Sequence, residues 1–188
     1  LAVGSGARVT AQNAAAFGQS AEAVAADALA VGSGALANQQ SASAVGQNAQ
    51  ATAQNAAAFG AGAQASHQDS VALGSNSVTG TANPTSEGTI EGITYGTYAG
   101  ATPESVVSVG SAGNERQVTN VAAGRVTATS TDAINGSQLF ATNTVLGNVA
   151  NSLADGPDSV LGGNATVGDD GTITMSDIGG TGEDTVHD

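Results

Sequence analysis

Large apolar side chains are sparse along residues 1–74 and recur at one fixed interval. Val3, Phe17, Val31, Val45, Phe59 and Leu73 stand 14 residues apart. Each is preceded by alanine (Ala2, Ala16, Ala30, Ala44, Ala58, Ala72) and followed by glycine (Gly4, Gly18, Gly32, Gly46, Gly60, Gly74). Three residues beyond each of these glycines comes Ala7, Ala21, Ala35, Ala49, Ala63 or Ser77. A second glycine at Gly6, Gly34 and Gly62 adds a finer period of 28, and the octapeptide Ala11–Gly18 returns unchanged at Ala53–Gly60. A short, strict period means one small unit stacked on itself.

Two heptads also measure 14 residues, so a helix has to be tested. An interior glycine costs about 1 kcal/mol relative to alanine, every repeat carries at least one, and no a/d stripe of large residues compensates. Two short strands per repeat, with glycine at a turn, fit the pattern instead and predict a narrow parallel β-solenoid with one coil per repeat. On this reading the bulky residue before glycine and the one two earlier (Leu1, Leu29, Val71) share an inward strand face. The small residues three and five after glycine line one face of the next strand. The alanine between two inward residues then points outward, and its constancy predicts that this outer face meets something close.

After Gly74 the period breaks, and the next match, Val107-Ser108-Val109-Gly110, lies 36 residues on from it. The extra material, about Thr81–Glu104, holds Tyr95, Tyr98, Pro84 and Pro103. Thr89–Tyr98 alternates and predicts a short hairpin. Such an insert can cover a side of the roll or offer its tyrosines to a ligand; their place in an alternating strand favours the first. Leu139, Leu146 and Leu153, with Thr142 and Val149, make a 3–4 pattern of coiled-coil type. A second register brings Asn143 and Ala150 into the core with the same leucines. About two heptads are marginal alone, and Asp155-Gly156-Pro157 predicts the stop. Beyond it, Val167–Met175 reads as strand, tight turn, strand. Asp169-Asp170-Gly171 lacks the alternating ligands and closing glutamate of a calcium loop.

Composition sharpens this. Of 188 residues 38 are Ala and 27 Gly, aromatics are 3%, and Cys, Trp and Lys are absent. Such a chain builds thin layers or shares a core between copies, and no disulfide framework or thiolate metal site is available to it. The net charge of −13, with a pI near 4.1, argues against nucleic acid and anionic membranes. The charge is regional: one Arg against three acids in residues 1–74, two Arg against thirteen acids in the remainder. No run approaches the 18 or so apolar residues of a membrane span. Chemistry is hard to place. His67 and His187 are isolated, Glu22 has no carboxylate 14 residues away, and the glycine-rich pieces lack the lysine and helix of a phosphate loop. The chain is therefore read as no enzyme, with no cofactor and no metal. It opens and stops in mid-pattern and is read as a piece of a longer protein.

Asp69-Ser70-Val71-Ala72-Leu73-Gly74-Ser75, with Asn13–Gly18 and Asp27–Gly32 as looser copies, resembles the head repeat of trimeric autotransporter adhesins, the YadA-like group. Ser111-Ala112-Gly113-Asn114-Glu115-Arg116-Gln117-Val118-Thr119-Asn120-Val121-Ala122-Ala123-Gly124 and Thr131–Leu139 are similar to that family's neck. The resemblance implies a mainly β chain: a left-handed parallel β-roll head in a homotrimer (1–113, insert about 81–104), a chain-exchanged neck (114–138), a short trimeric coiled coil (139–154) and the start of a small β module (155–188). It places trimer and neck contacts at Ala30, Ala44, Arg116, Asn120, Arg125, Asp132, Leu139, Leu146, Val149 and Leu153. Inter-chain ion pairs run from Arg116 and Arg125 to Glu115 or Asp132, and Asn143 is a candidate core anion site. The implied location is the bacterial cell surface, with the outer-membrane anchor outside this segment. The implied partners are host extracellular matrix proteins or cell-surface receptors, with Gln12, Asn13, Gln19, Gln47, Gln54 and Asn55 as ligand-facing candidates. Three readings stand: a multivalent adhesin, a spacer of the same fibre, or a phage-type or polysaccharide-acting β-solenoid.

Overall fold

The computed structural model describes residues 1–154, 166–168 and 172–174. They fall into two units, Leu1–Thr119 and the segment from Asn120 onward. In the first unit the chain winds as a parallel β-solenoid. Seven strands, Ala2–Val3, Ala15–Phe17, Leu29–Val31, Ser43–Val45, Ala57–Phe59, Val71–Leu73 and Val107–Ser108, form a long sheet. Five strands, Arg8–Val9, Glu22–Ala23, Leu36–Ala37, Gln50–Ala51 and Gln64–Ala65, form a short sheet. Equivalent residues stack in register from coil to coil: Ala2, Ala16, Ala30, Ala44, Ala58 and Ala72 form one column.

That column is the core. Ala16, Ala30, Ala44, Ala58 and Ala72 are all 0% exposed, and so are Ala23, Ala37, Ala51 and Ala65 from the opposite sheet. Alanines at the corners complete a filling made almost wholly of methyl groups. Strand alternation therefore turns the bulky neighbours outward: Val3, Phe17, Phe59 and Leu73 are 37–51% exposed. This corrects the expected facing. A coil of so few residues encloses a gap that methyls fill, and a valine or phenylalanine directed inward would force the two sheets apart. Ala30 and Ala44 lie inside their own chain and so are not contacts between chains.

Each coil turns twice through the left-handed region. At one corner Asn13, Asp27, Ser41, Asn55 and Asp69 have φ of 55–60°, the residue types that tolerate it best. At the other, the repeating glycine takes φ between 107° and 139°. A Cβ on Gly46 would lie 2.5 Å from the carbonyl carbon of Gly60 in the next coil. Two residues on, Gly34 alternates with Asn48 and Gly62 with Asn76, and each asparagine carbonyl oxygen occupies the space above the preceding glycine. This packing gives the period of 28 a physical cause.

The insert leaves after Val78, which bridges to Gln64 in the direction of the short sheet, and returns at Val107, which pairs with Val71 in the long sheet. It thus replaces one corner. Its hairpin is Glu87–Ile90 with Ile93–Gly96, a little earlier than the alternation suggested, because Glu91 and Gly92 both have positive φ (48° and 77°) and close a two-residue turn. Ile90 and Ile93 are 66% and 59% exposed, so the hairpin does not cover its own roll. In the second unit the helix Gly136–Ala154 starts three residues before the leucine pattern does. Thr166–Val167 pairs antiparallel with Ile173–Thr174. The expected helix stop at 155–157 and the turn at Asp169-Asp170-Gly171 lie outside the described residues.

Candidate functional site

Two opposed outer faces result from this winding, and they differ in chemistry. On the long sheet the outward positions are apolar in nearly every coil: Leu1 and Val3, Ala15 and Phe17, Leu29 and Val31, Ser43 and Val45, Ala57 and Phe59, Val71 and Leu73. No charged side chain interrupts them. On the short sheet one outward column runs Arg8, Glu22, Leu36, Gln50, Gln64. Arg8 meets Glu22 of the next coil at 3.0 Å, an exposed pair, and Thr10 donates its hydroxyl to the Val24 carbonyl oxygen at 3.2 Å. A contiguous apolar face on one side and a polar one on the other mark the first as a contact surface.

All six candidate ligand-facing residues are exposed, but at the corners rather than on a sheet. Gln12, Asn13, Gln54 and Asn55 share one corner, and Gln19 and Gln47 the other. Two of them have structural work: Asn13 Nδ2 donates to Asp27 Oδ1 at 3.0 Å and Asn55 Nδ2 to Asp69 Oδ1 at 2.7 Å, tying neighbouring coils. The flat polar positions missed in the sequence are Gln50 and Gln64. Their signal was variability, since this column runs through Arg8, Glu22 and Leu36 to two glutamines while the flanking buried positions stay small. His67 is likewise held: its Nδ1 lies 3.1 Å from Thr79 Oγ1 and its Nε2 3.4 Å from Thr81 Oγ1, at the start of the insert.

Where the first unit ends, Arg116 caps the last coil. Its guanidinium donates to Ser77 Oγ at 3.0 Å, to the Val109 carbonyl oxygen at 2.6 Å and to the Ser75 carbonyl oxygen. An open groove of about 400 Å³ lies beside it, lined by Val78, Ser108–Ala112, Glu115 and Arg116. The carboxylate of Glu115 accepts the Gly113 N–H at 2.9 Å, and backbone N–H groups, its own first and then that of Gly113, hold its pKa below the usual range. Within the chain, Arg116 therefore serves a hydroxyl and two main-chain carbonyls. Arg116→Ala leaves the buried Ser77 hydroxyl and the last carbonyls short of a charged donor. The expected loss in a thermal melt is about 1.5 kcal/mol.

In the second unit Arg125 is likewise bonded within the chain. Its Nε and Nη2 donate to both carboxylate oxygens of Asp132 of the same chain, at 2.8 and 3.1 Å, and its backbone N–H adds a third bond at 3.0 Å. The guanidinium first, then this N–H, hold the Asp132 carboxyl below its ordinary value, and the arginine is pushed up in turn. A depressed carboxylate contributes stability above its unfolded pKa, which is lost as pH falls through the folded one. The 125–132 loop should thus be indifferent to pH from 7 to about 5 and loosen below about 4, as amide exchange of Arg125 in an acid titration will show. Arg125→Ala should weaken that dependence, leaving only the backbone N–H bond to Asp132, with little change in melting temperature, because the pair is exposed.

Asn135 and Gln138 organise the rest. Asn135 Oδ1 accepts the Gln138 N–H at 3.3 Å and Gln138 Oε1 accepts the Asn135 N–H at 3.3 Å, a reciprocal cap on the helix. Gln138 also exchanges two bonds with the Gly124 backbone, at 2.9 and 2.7 Å, and Asn135 Nδ2 donates to the Val121 carbonyl oxygen at 3.1 Å. Asn120 is exposed with φ of 60°. Along the helix Leu139, Leu146 and Val149 are 51–65% exposed, and Asn143 is exposed too. Leu153 lies in the helix by its backbone, and its side chain lies outside the described residues. Among the described residues, no helix is long and apolar enough to cross a membrane.

Comparison with known proteins gives this arrangement relatives. The YadA head domain repeat matches in four overlapping copies over residues 10–35, 23–49, 37–63 and 51–77. The coiled stalk of trimeric autotransporter adhesin matches residues 117–162. The chain is 51% identical over 61 residues to the autotransporter adhesin BtaE of Brucella suis, 32% of this chain and 8% of that protein. It is 47% identical over 70 residues to the trimeric autotransporter adhesin AtaA of an Acinetobacter species, 37% of this chain and 2% of that one. It thus spans a small part of both relatives. In solved structures, the collagen-binding domain of the Yersinia adhesin YadA matches with TM-score 0.57 and 28% identity over 76% of this chain and 66% of that one. The C-terminal YadA-like domain of a Burkholderia pseudomallei protein matches with TM-score 0.52 and 39% identity over 71% and 53%. With the head repeat matched over its coils and the stalk matched beyond them, the chain belongs to the YadA-like trimeric autotransporter adhesins.

Proposed function

We propose that the segment is part of the outward passenger of a bacterial surface fibre, anchored by an outer-membrane region elsewhere in the protein, and that it attaches the cell to host matrix or host-cell receptors. The supporting observation is the split between the two outer faces. Three chains joined through the apolar face of the long sheet leave the polar short sheet turned to the surroundings. Leu139, Leu146 and Val149, with Leu153, then close a three-stranded coiled coil with Thr142 as its polar position, and the second register puts Asn143 there instead. The Yersinia relative is described as collagen-binding, which makes a fibrous matrix protein the first ligand to try. A flat polar surface offered three times per fibre gains by avidity, on the order of 10²–10⁴ in apparent affinity over one site.

The test is binding of the purified 188-residue trimer to immobilised collagen, fibronectin and laminin and to epithelial cells. Binding that falls by about tenfold in a Gln50→Ala/Gln64→Ala variant supports the short-sheet face. Undiminished binding moves the site elsewhere, with the corner residues Gln12, Gln19, Gln47 and Gln54 next to be changed. No binding to any surface makes the segment a spacer.

A further inference from the structure

The coils of the roll share one backbone and, up to the last, where Ser70, Ser77 and Thr79 are buried, one alanine filling, so the outer face of the long sheet repeats its shape at about 4.8 Å, the spacing of paired strands. Chains that meet through this face could slide by one coil and find the same backbone again. Only the outward side chains tell one coil from another. Phenylalanine occurs there twice, at Phe17 and Phe59, three coils apart in one stacked column. In both coils the outward neighbour two residues earlier is the smallest of its column, Ala15 and Ala57; the coil of Phe17 is followed by Leu29 and Val31. Both rings remain 37–40% exposed in the single chain. The buried positions of these coils are alanine as elsewhere, so the interior does not demand the pairing.

We infer that these two levels set the axial register of the assembled heads, with Phe17 and Phe59 of one protomer lying across Ala15 and Ala57 of its neighbour. This rests on the proposed joining of chains through the long sheet. Only the unslipped pairing, in which each phenylalanine level faces its own kind, closes into a three-fold ring, and a slipped pair is an open competitor. A slip of one coil sets the two rings against Leu29 and Val71 in one direction and against Leu1 and Ser43 in the other, and each alanine then faces a residue smaller than phenylalanine; crowding and voids both cost assembly.

The experiment uses two full-length variants, Ala15→Leu, which fills the receiving space, and Phe17→Val, which removes the ring. Each homotrimer should assemble about tenfold more weakly than the unaltered chain. Refolded together, the two should form mixed trimers above the binomial share in native mass spectrometry, because a protomer of one kind relieves the fault of the other. Homotrimers as tight as the unaltered chain, or mixed trimers at the binomial share, overturn the register role while leaving the interface standing. An unaltered chain that stays monomeric in sedimentation overturns the interface itself, and this inference with it.

Discussion

Ala44→Gln should unfold the roll and not merely part the chains. Ala44 is 0% exposed and sits in the column that separates the two sheets. Glutamine there adds several heavy atoms to a filled gap, which costs about 1–3 kcal/mol, and buries an amide with no partner, which adds about 1–3 kcal/mol. The sum, about 4 kcal/mol, is a large share of the stability of a small domain. The neighbours offer no relief, since Ala30 and Ala58 stack above and below it with the same burial. Circular dichroism is expected to lose its β signal near room temperature for both Ala44→Gln and Ala30→Gln. An intact spectrum accompanied only by dissociation would mean that this column faces a neighbouring chain after all.

Gly46→Ala is expected to be nearly as damaging, by a different route. At φ of 139° an L-residue is strained by about 1–3 kcal/mol. The added Cβ would also press on the Gly60 carbonyl group, backbone that is itself fixed by the Gly60 N–H bond to the Val45 carbonyl oxygen at 2.8 Å. Neither side can yield without breaking the ladder, so about 3 kcal/mol or more should be lost. Gly113→Ala is the control: its φ of 77° is strained too, but nothing lies within 4 Å of the new methyl. It should cost about 1 kcal/mol. Equal melting temperatures for the two variants would show that coil-to-coil crowding contributes nothing.

The comparison of these two sites also shows what could be read in advance. Period, strand type and the role of glycine follow from spacing, because a stacked repeat must keep its register and its turns in every copy. The facing did not follow. Placing large residues inside assumes a gap wide enough to hold them, and the constancy of Ala16, Ala30, Ala44, Ala58 and Ala72 was the mark of an interior, where nothing else fits. The neck illustrates another limit. Arg116 bonds to main-chain carbonyls and Gln138 to the Gly124 main chain. Acceptors common to every residue leave no pattern in the sequence, whereas the opposite charges of Arg125 and Asp132 are plain in it. Gln50 and Gln64 were overlooked because polarity alone does not separate a corner from the flat of a sheet.

The insert shows what a stacked fold leaves free. Val107 takes its place beside Val71 as though one ordinary turn had passed, although 36 residues separate them. Lengthening a closed loop from 14 residues to that span adds less than about 1 kcal/mol of closure entropy, and the ladder on either side keeps its pairing. This corner therefore behaves as a socket. Peptides of unrelated length and composition can be spliced there without recutting the coils. The roll can change what it carries at this corner while the rack of coils beneath is inherited intact.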